Sequence, residues 1–139
     1  MKSIKTLFAA ITMLAGTSTG VLSDDHALKV LGDNQDMSAG TVTASRITAD
    51  ANGWLVVHRV KSDGKPGPVV GHSPLKKGEN TDVTAILTEP VKKGEKVMLM
   101  LHGETGGTQT GIFEYTLGAK EDGPVKVDGG LVMVVVEAI

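Results

Sequence analysis

Clusters of glycine, proline, asparagine and aspartate divide this chain into short apolar segments, and that division constrains its fold more than any other feature. From residue 41 onward such clusters recur about every 8 to 15 residues. The segments between them show no helical period, and residues 41–48 and 54–60 are rich in residues that favour strands. The pattern predicts an all-β fold, an antiparallel immunoglobulin-like β-sandwich of about seven to nine short strands over residues 41–139.

The first residues of the chain have the features of a secretory signal peptide. Lys2 and Lys5 precede an apolar run at residues 7–15, which is long enough for the hydrophobic part of a signal and too short to span a bilayer. We predict a signal peptide at residues 1–23, with cleavage after Ser23 or alternatively after Gly20. The protein is therefore expected in the periplasm or outside the cell, without a transmembrane anchor once the signal is removed.

The segment that follows the signal, residues 24–40, is polar and has no clear period. We predict that it forms a flexible N-terminal arm in front of the sandwich domain.

Charge and cysteine content exclude several classes of function. The chain has 14 basic and 16 acidic residues, and loss of Lys2 and Lys5 with the signal leaves 12 against 16, a net charge of −4. This balance argues against nucleic acid as a partner, and no motif identifies a protein partner. Because the chain has no cysteine, blue-copper and thiolate-zinc sites are excluded, and any metal must be bound by nitrogen, oxygen or thioether ligands.

Two histidines flank a loop rich in proline and glycine. His58 and His72 lie in apolar, strand-like runs, where an imidazole needs a hydrogen-bond partner or a metal. If these runs form a hairpin centred on Lys65, the two imidazoles oppose each other on one face and can share an ion. A centre displaced by half a residue would place them on opposite faces, and an immunoglobulin-type sandwich could also place the two strands in different sheets.

A third histidine, His102, shares a strand face with Met98 and Met100, which adds thioethers to the candidate ligands. Imidazole and thioether without thiolate suit copper better than calcium or magnesium, while three histidines and a water would also suit zinc. We therefore predict a copper site, with zinc as the less favoured metal. Its candidate ligands are His58, His72, His102, Met98 and Met100.

Cleavage after Ser23 would create a separate metal site at the new N-terminus. The sequence Asp24-Asp25-His26 would then offer a free amine, two amides and an imidazole, which can bind Cu(II) or Ni(II) in a square plane. The alternative is that His26 belongs to a solvated arm.

Catalytic patterns are weak, so we predict a non-enzymatic protein. No serine has the setting of a nucleophile elbow, and the carboxylates are scattered through turns. The alternative to a metal-binding module is a structural or interaction module of the cell surface, whose histidines pack in the core and donate to carbonyls. A zinc hydrolase with three histidines is a third hypothesis, for which no general base is evident. Three nitrogens within about 4 Å of each other would favour a metal over the module.

Spaced tryptophan, histidine and glycine elements resemble an uncharacterised domain family known from surface and exported proteins of haloarchaea and from small secreted bacterial proteins. The elements are Gly53-Trp54-x-x-x-His58, Gly67-Pro68-Val69-x-Gly71-His72-x-Pro74 and Met100-Leu101-His102. The resemblance covers residues 41–138 and implies an extracytoplasmic β-sandwich without an established activity. It marks Trp54, His58, His72 and His102 as family pattern positions, not as ligands. Lysines at positions 76, 77, 92 and 93 replace the acidic loops of some members, which argues against a halophilic setting.

Overall fold

The computed structural model describes residues 26–139, and the predicted signal peptide lies outside the described residues. Within that range the chain forms nine strands and no helix, which confirms the all-β prediction. The strands are β1 (Lys29–Leu31), β2 (Thr41–Ala49), β3 (Gly53–Val60), β4 (Pro66–Leu75), β5 (Gly78–Ile86), β6 (Lys96–Gly103), β7 (Lys126–Val127), β8 (Gly130–Leu131) and β9 (Met133–Glu137).

The strands form two main antiparallel sheets. One sheet has the order β1-β2-β5 and the other has the order β4-β3-β6-β9. In immunoglobulin lettering these are A-B-E and C′-C-F-G, the arrangement of an immunoglobulin-like sandwich. The strands β7 and β8 form a separate hairpin, in which Asp128 and Gly129 both have positive φ angles of 50° and 81°, as a tight two-residue turn requires.

The main core lies between the two sheets. Leu55 and Val57 of β3, with Leu99 and Leu101 of β6, pack there against apolar residues of the first sheet such as Ile47. Since side chains alternate along a strand, these residues leave the other set of β3 and β6 side chains on the outer face of the second sheet. Both sets are buried, which fits the central position of the two strands in their sheet.

The outer face of β3 and β6 is buried because the long connection between β6 and β7 folds over it. We call residues 104–125 the covering loop. Its Tyr115 is buried and its Phe113 half-buried against this face. The loop is anchored at its end by a bridge between His102 and Pro124 and by the hydrogen bond from the Val125 amide to the Leu101 carbonyl (3.0 Å).

The structure corrects the sequence analysis at the N-terminal side. Residues 24–40 were predicted to form a flexible arm, but β1 lies within that range and pairs with β2. Val30 and Met37 are buried in the main core, and Gln35 forms a bridge with Ala138 near the C-terminus. Because two isolated apolar side chains give no periodic signal, their burial could not be read from the local pattern.

The predicted loop rich in proline and glycine between His58 and His72 is shorter than expected. The strand β4 already begins at Pro66 and continues to Leu75. Proline cannot donate to a ladder, but β4 is an edge strand of its sheet, where an unpaired side is tolerated. The turn closes earlier because Gly64 adopts a positive φ of 79° and its amide donates to the carbonyl of Lys61 (2.8 Å).

Candidate functional site

The outer face of the second sheet carries most of the residues that the sequence analysis selected. In the β3–β6 register, Trp54 lies opposite His102, Val56 opposite Met100, and His58 opposite Met98. All six side chains are buried between the sheet and the covering loop. The alternation of β6 therefore places His102 on one face with Met98 and Met100, as predicted.

His58 and His102 meet at the centre of this face. Their Nε2 atoms are 3.2 Å apart, and neither side chain is exposed to solvent. The Nδ1–H of His58 donates to the carbonyl of Gly67 (2.8 Å), and the Nδ1–H of His102 donates to the carbonyl of Asp122 (2.6 Å). Each backbone carbonyl can only accept, so it fixes the tautomer of its imidazole with the proton on Nδ1.

This tautomer has a clear electrostatic consequence. When both rings are neutral, each Nε2 presents a lone pair to the other across 3.2 Å. Moving a proton to either Nε2 of a neutral ring would instead set an Nδ1 lone pair against a carbonyl oxygen. Only a cation between the two Nε2 atoms, either a proton or a metal ion, satisfies all four nitrogens at once.

A shared proton is opposed by the surroundings of the pair. Burial lowers the pKa of His102 from 6.5 to about 4, although the hydrogen bond to Asp122 acts in the opposite direction. Burial also lowers the pKa of His58, again against the effect of its hydrogen bond to Gly67. At neutral pH the metal-free pair is therefore neutral, with both Nε2 lone pairs free.

The spacing of the pair fits two ligands of one metal ion. With metal–nitrogen bonds of about 2.0 to 2.1 Å, two nitrogens 3.2 Å apart subtend about 100 to 106° at the ion, near the tetrahedral value of about 109°. Metal-binding histidines commonly donate their other N–H to a carbonyl or carboxylate, as both rings do here.

His72 does not join the pair, so the structure does not bring the three predicted histidines together. In the β3–β4 register His72 lies opposite Val56, whereas His58 lies opposite Val69, because a register shift interrupts the ladder between Val57 and His58. His72 therefore shares the face but is displaced along it. Within residues 26–139, no group of three or more His, Cys, Asp and Glu side chains is arranged to hold a metal ion.

His72 instead belongs to an aromatic cluster at the exposed margin of the site. Its ring stacks on Phe113 of the covering loop, with centroids 4.4 Å apart, and meets Trp54 edge-on at 5.7 Å. Tyr115 covers the pair itself, because its ring meets His102 edge-on at 4.5 Å and His58 at 5.9 Å. The aromatic side chains thus separate the pair from solvent on the loop side.

Asp122 is a residue of the site that the sequence analysis missed. Its buried carboxylate accepts from the amides of Thr105 (3.1 Å) and Glu114 (2.9 Å), so it holds the covering loop together. It has a positive φ of 45°, and its carbonyl accepts the hydrogen bond from His102. The Glu121-Asp122-Gly123-Pro124 turn signal marked this position as a turn, but nothing local indicated the contact with a histidine twenty residues away.

The predicted N-terminal metal site is only partly within the described range. His26 is exposed and lies before β1, whereas Asp24 and Asp25 lie outside the described residues.

Fold and site together define the class of this protein, an immunoglobulin-like β-sandwich with a histidine pair buried beneath the connection between its F and G strands. Residues 29–138 match a protein family described as a domain of unknown function (DUF7282), and the chain belongs to this family. The match begins at β1, within the predicted arm.

Two other comparisons give no match. Neither a curated protein nor a solved structure is significantly similar to the chain. In the part of the chain that the structure describes, no helix has the length and apolar character needed to cross a membrane.

Proposed function

We propose that this protein is an exported, non-enzymatic module that binds one Cu(I) ion between His58 and His102. The thioether of Met98 or Met100 supplies the further soft ligand. The observation that carries the proposal is the 3.2 Å approach of two Nε2 atoms whose Nδ1 protons are both committed to carbonyls. Such a pair offers two preoriented lone pairs to a cation in a buried site.

The charge of the site favours a monovalent ion. Imidazole and thioether ligands are neutral, and the described residues place no carboxylate with the pair in a metal-holding group. A divalent ion would therefore bring into a buried environment two charges that its ligands do not neutralise, whereas Cu(I) brings one. Thioether ligands also select Cu(I) over zinc.

The spacing favours more than two ligands. A linear two-coordinate ion with bonds of about 2.0 Å would need nitrogens about 4 Å apart, which exceeds the observed 3.2 Å. The register places Met98 opposite His58 and Met100 two residues from His102 on the same face. Cross-strand neighbours of this kind have Cβ atoms about 4.5 to 5.5 Å apart, and a methionine side chain is long and flexible enough to reach an ion at the pair.

The proposed location follows from the N-terminal sequence. A basic start followed by a short apolar run and small residues supports export. A copper site without cysteine suits an oxidising compartment, because imidazole and thioether cannot be lost to disulfide formation.

A second candidate function is a structural or interaction module that binds no metal. It is supported by the same Nδ1 hydrogen bonds, since His58 ties β3 to Gly67 of β4 and His102 ties β6 to Asp122 of the covering loop. Under this alternative the two Nε2 lone pairs remain opposed at neutral pH, which is an unfavourable arrangement for a pair kept only for structure.

The test is a titration of the purified, metal-free mature protein with Cu(I), Zn(II) and Cu(II), under reducing conditions for Cu(I). We expect one Cu(I) per chain and weaker Zn(II) binding. At free Cu(I) about 100 times Kd, binding adds about 2.7 kcal/mol to the free energy of unfolding. For a folded region of this size, that corresponds to a rise in Tm of roughly 10 °C.

Substitution with asparagine separates the two candidates. In His58→Asn or His102→Asn the amide can replace the Nδ1 donor, but no Nε2 remains, so each variant should fold and lose Cu(I) binding. The matched control is His72→Asn, which should still bind one Cu(I). Wild-type protein that binds nothing at micromolar Cu(I), or pair variants that bind as well as wild type, would leave the structural module as the function.

A further inference from the structure

The proposed copper site is closed to solvent on nearly every side. His58 and His102 have no exposed surface, and Met98 and Met100 are each only 1% exposed. Tyr115 covers the pair from the loop side. An ion that reaches this site must therefore pass between the side chains that cover it.

The face opens at one edge of the sheet. In the β6–β9 register, Met133 lies directly opposite Met100 and Val135 opposite Met98, so both β9 residues are on the same face as the histidine pair. The covering loop does not bury them, because Met133 is 38% and Val135 40% exposed. Among the methionines of residues 26–139, Met133 is the one with an exposed side chain.

Val56, Met100 and Met133 form a row of cross-strand neighbours in the middle of this face. The two thioethers of this row lie between solvent and the histidine pair. Met100 lies between Met133 on β9 and Val56 on β3, and it is two residues from His102 on β6 and two residues from Met98, which lies opposite His58. Directly opposed residues have Cβ atoms about 4.5 to 5.5 Å apart, so the thioethers of Met133 and Met100 can bind one ion in succession. Methionine has three rotatable bonds, which allows this handover without movement of the backbone.

We propose that Met133 is the point at which Cu(I) is captured from solution and passed through Met100 to His58 and His102. This inference rests on the proposed function. The transfer is an exchange of neutral ligands on one ion: a bond to Met133 breaks as a bond to Met100 forms, and the imidazoles replace the outer ligands last. Copper stays Cu(I) throughout, and no proton is released, because both Nε2 atoms are already unprotonated.

The opposite end of the same row offers a weaker path. His72 on β4 is exposed and lies opposite Val56, which has no donor atom to bind a metal. Its ring is also stacked on Phe113. A path from His72 would therefore have to cross an apolar residue, whereas the path from Met133 meets a thioether at its next step.

The experiment measures loading and release rates rather than affinity alone. Metal-free protein is mixed with Cu(I) held by a coloured chelator, and the loss of the chelate absorbance gives the loading rate. The loaded protein is then mixed with excess chelator to give the release rate. The variants are Met133→Leu, His72→Asn and Met37→Leu, the last being a buried methionine of the main core away from the site.

For Met133→Leu we expect both loading and release to slow by about tenfold, with Kd unchanged, because a lost path raises the barrier in both directions equally. His72→Asn and Met37→Leu should load and release at wild-type rates. If Met133→Leu releases Cu(I) faster and has a higher Kd than wild type, Met133 is a ligand of the final site and the path is overturned. Wild-type rates in that variant, or slowing in His72→Asn instead, would overturn it too.

The two proposals fail in different ways. If wild type takes up no Cu(I) in this assay, the proposed function is wrong and the path falls with it. If wild type binds one Cu(I) but Met133→Leu loads and releases it at wild-type rates, the site stands and the path is wrong.

Discussion

Replacing His102 with asparagine should change how the stability of the metal-free protein depends on pH. The pKa of His102 is lowered by burial from 6.5 to about 4 in the folded protein, whereas in the unfolded chain it returns to about 6.5. Between these two pH values the unfolded chain binds more protons than the folded protein. The free energy of unfolding therefore falls as the pH drops from about 6.5 toward 4.

The magnitude follows from the pKa difference. A difference of one in pKa corresponds to about 1.4 kcal/mol. The shift from 6.5 to about 4 therefore costs the wild-type protein about 3 kcal/mol of stability when the pH reaches 4. His102 has no exposed surface, so solvent does not screen this energetic cost. The pKa of His58 is also lowered by burial, which adds a loss of the same sign in both proteins.

The assay is urea unfolding followed by the emission of Trp54, the only tryptophan in the chain, at several pH values from 7 to 4 with a metal chelator present. Carboxylates such as Glu95 and Glu114, whose pKa values are lowered by hydrogen bonds, also destabilise the fold as the pH falls. They do so equally in wild type and in His102→Asn, so the difference between the two proteins isolates His102. We expect wild type to lose about 3 kcal/mol more than the variant.

The sign of that difference tests the reasoning about the pair. If His58 and His102 shared a proton, the pKa of the pair would be raised above 6.5. Wild type would then gain stability relative to His102→Asn as the pH fell toward 6.5, and between pH 6.5 and 4 it would lose no more than the variant. A gain, or no difference at all, would refute the neutral pair and remove the main argument for a metal ion between the rings.

Substitutions at three further positions test the packing and polar contacts around the site. In Gly53→Ala, the added Cβ would overlap the carbonyl oxygen of His102, so thermal unfolding should show a loss of about 1 to 3 kcal/mol together with weaker Cu(I) binding; an unchanged Tm would contradict the close packing. Asp122→Ala leaves the amides of Thr105 and Glu114 without their acceptor and should cost about 3 kcal/mol, while Asp122→Asn, which tolerates positive φ, should cost less; equal losses would speak against the carboxylate. Arg59→Gln removes ion pairs with Glu89 (2.6 Å) and Glu95 (3.3 Å) and a hydrogen bond to the Pro90 carbonyl (2.7 Å), so it should cost about 1 kcal/mol in urea unfolding, and less at high salt; a loss that does not depend on salt would contradict an ionic contribution.

The strands and turns could be predicted because their signals are local. Alternating side chains and turn residues define most of the elements. Residues 74–79 and 90–95 have nearly the same sequence, and each segment contains a glycine at positive φ, Gly78 at 97° and Gly94 at 88°. The prediction failed where tertiary contacts decide. Lys29–Leu31 is too short to show a period, and Met37 is buried by contacts that no local pattern encodes.

The site could be predicted only in part for the same reason. Alternation alone places His102 with the methionines of β6. The relation between His58 and His72 depends on the length of the turn and on a register shift after Val57, neither of which the sequence specifies. The role of Asp122 depends on the path of the covering loop, which is set by its own buried carboxylate.

The position of the pair on β3 and β6 ties the site to the stability of the whole sandwich. A slip of one residue between these strands would turn His102 into the main core and bring Leu101 onto the outer face. The main core opposes that slip, because Leu55 and Leu99 fill it from the other side of the same strands. The covering loop contributes one carbonyl and an aromatic cover, but the spacing of the Nε2 atoms is fixed by the register of two central strands. Changes in the loop should therefore alter access to the site more than its geometry, whereas changes that loosen the main core should alter both.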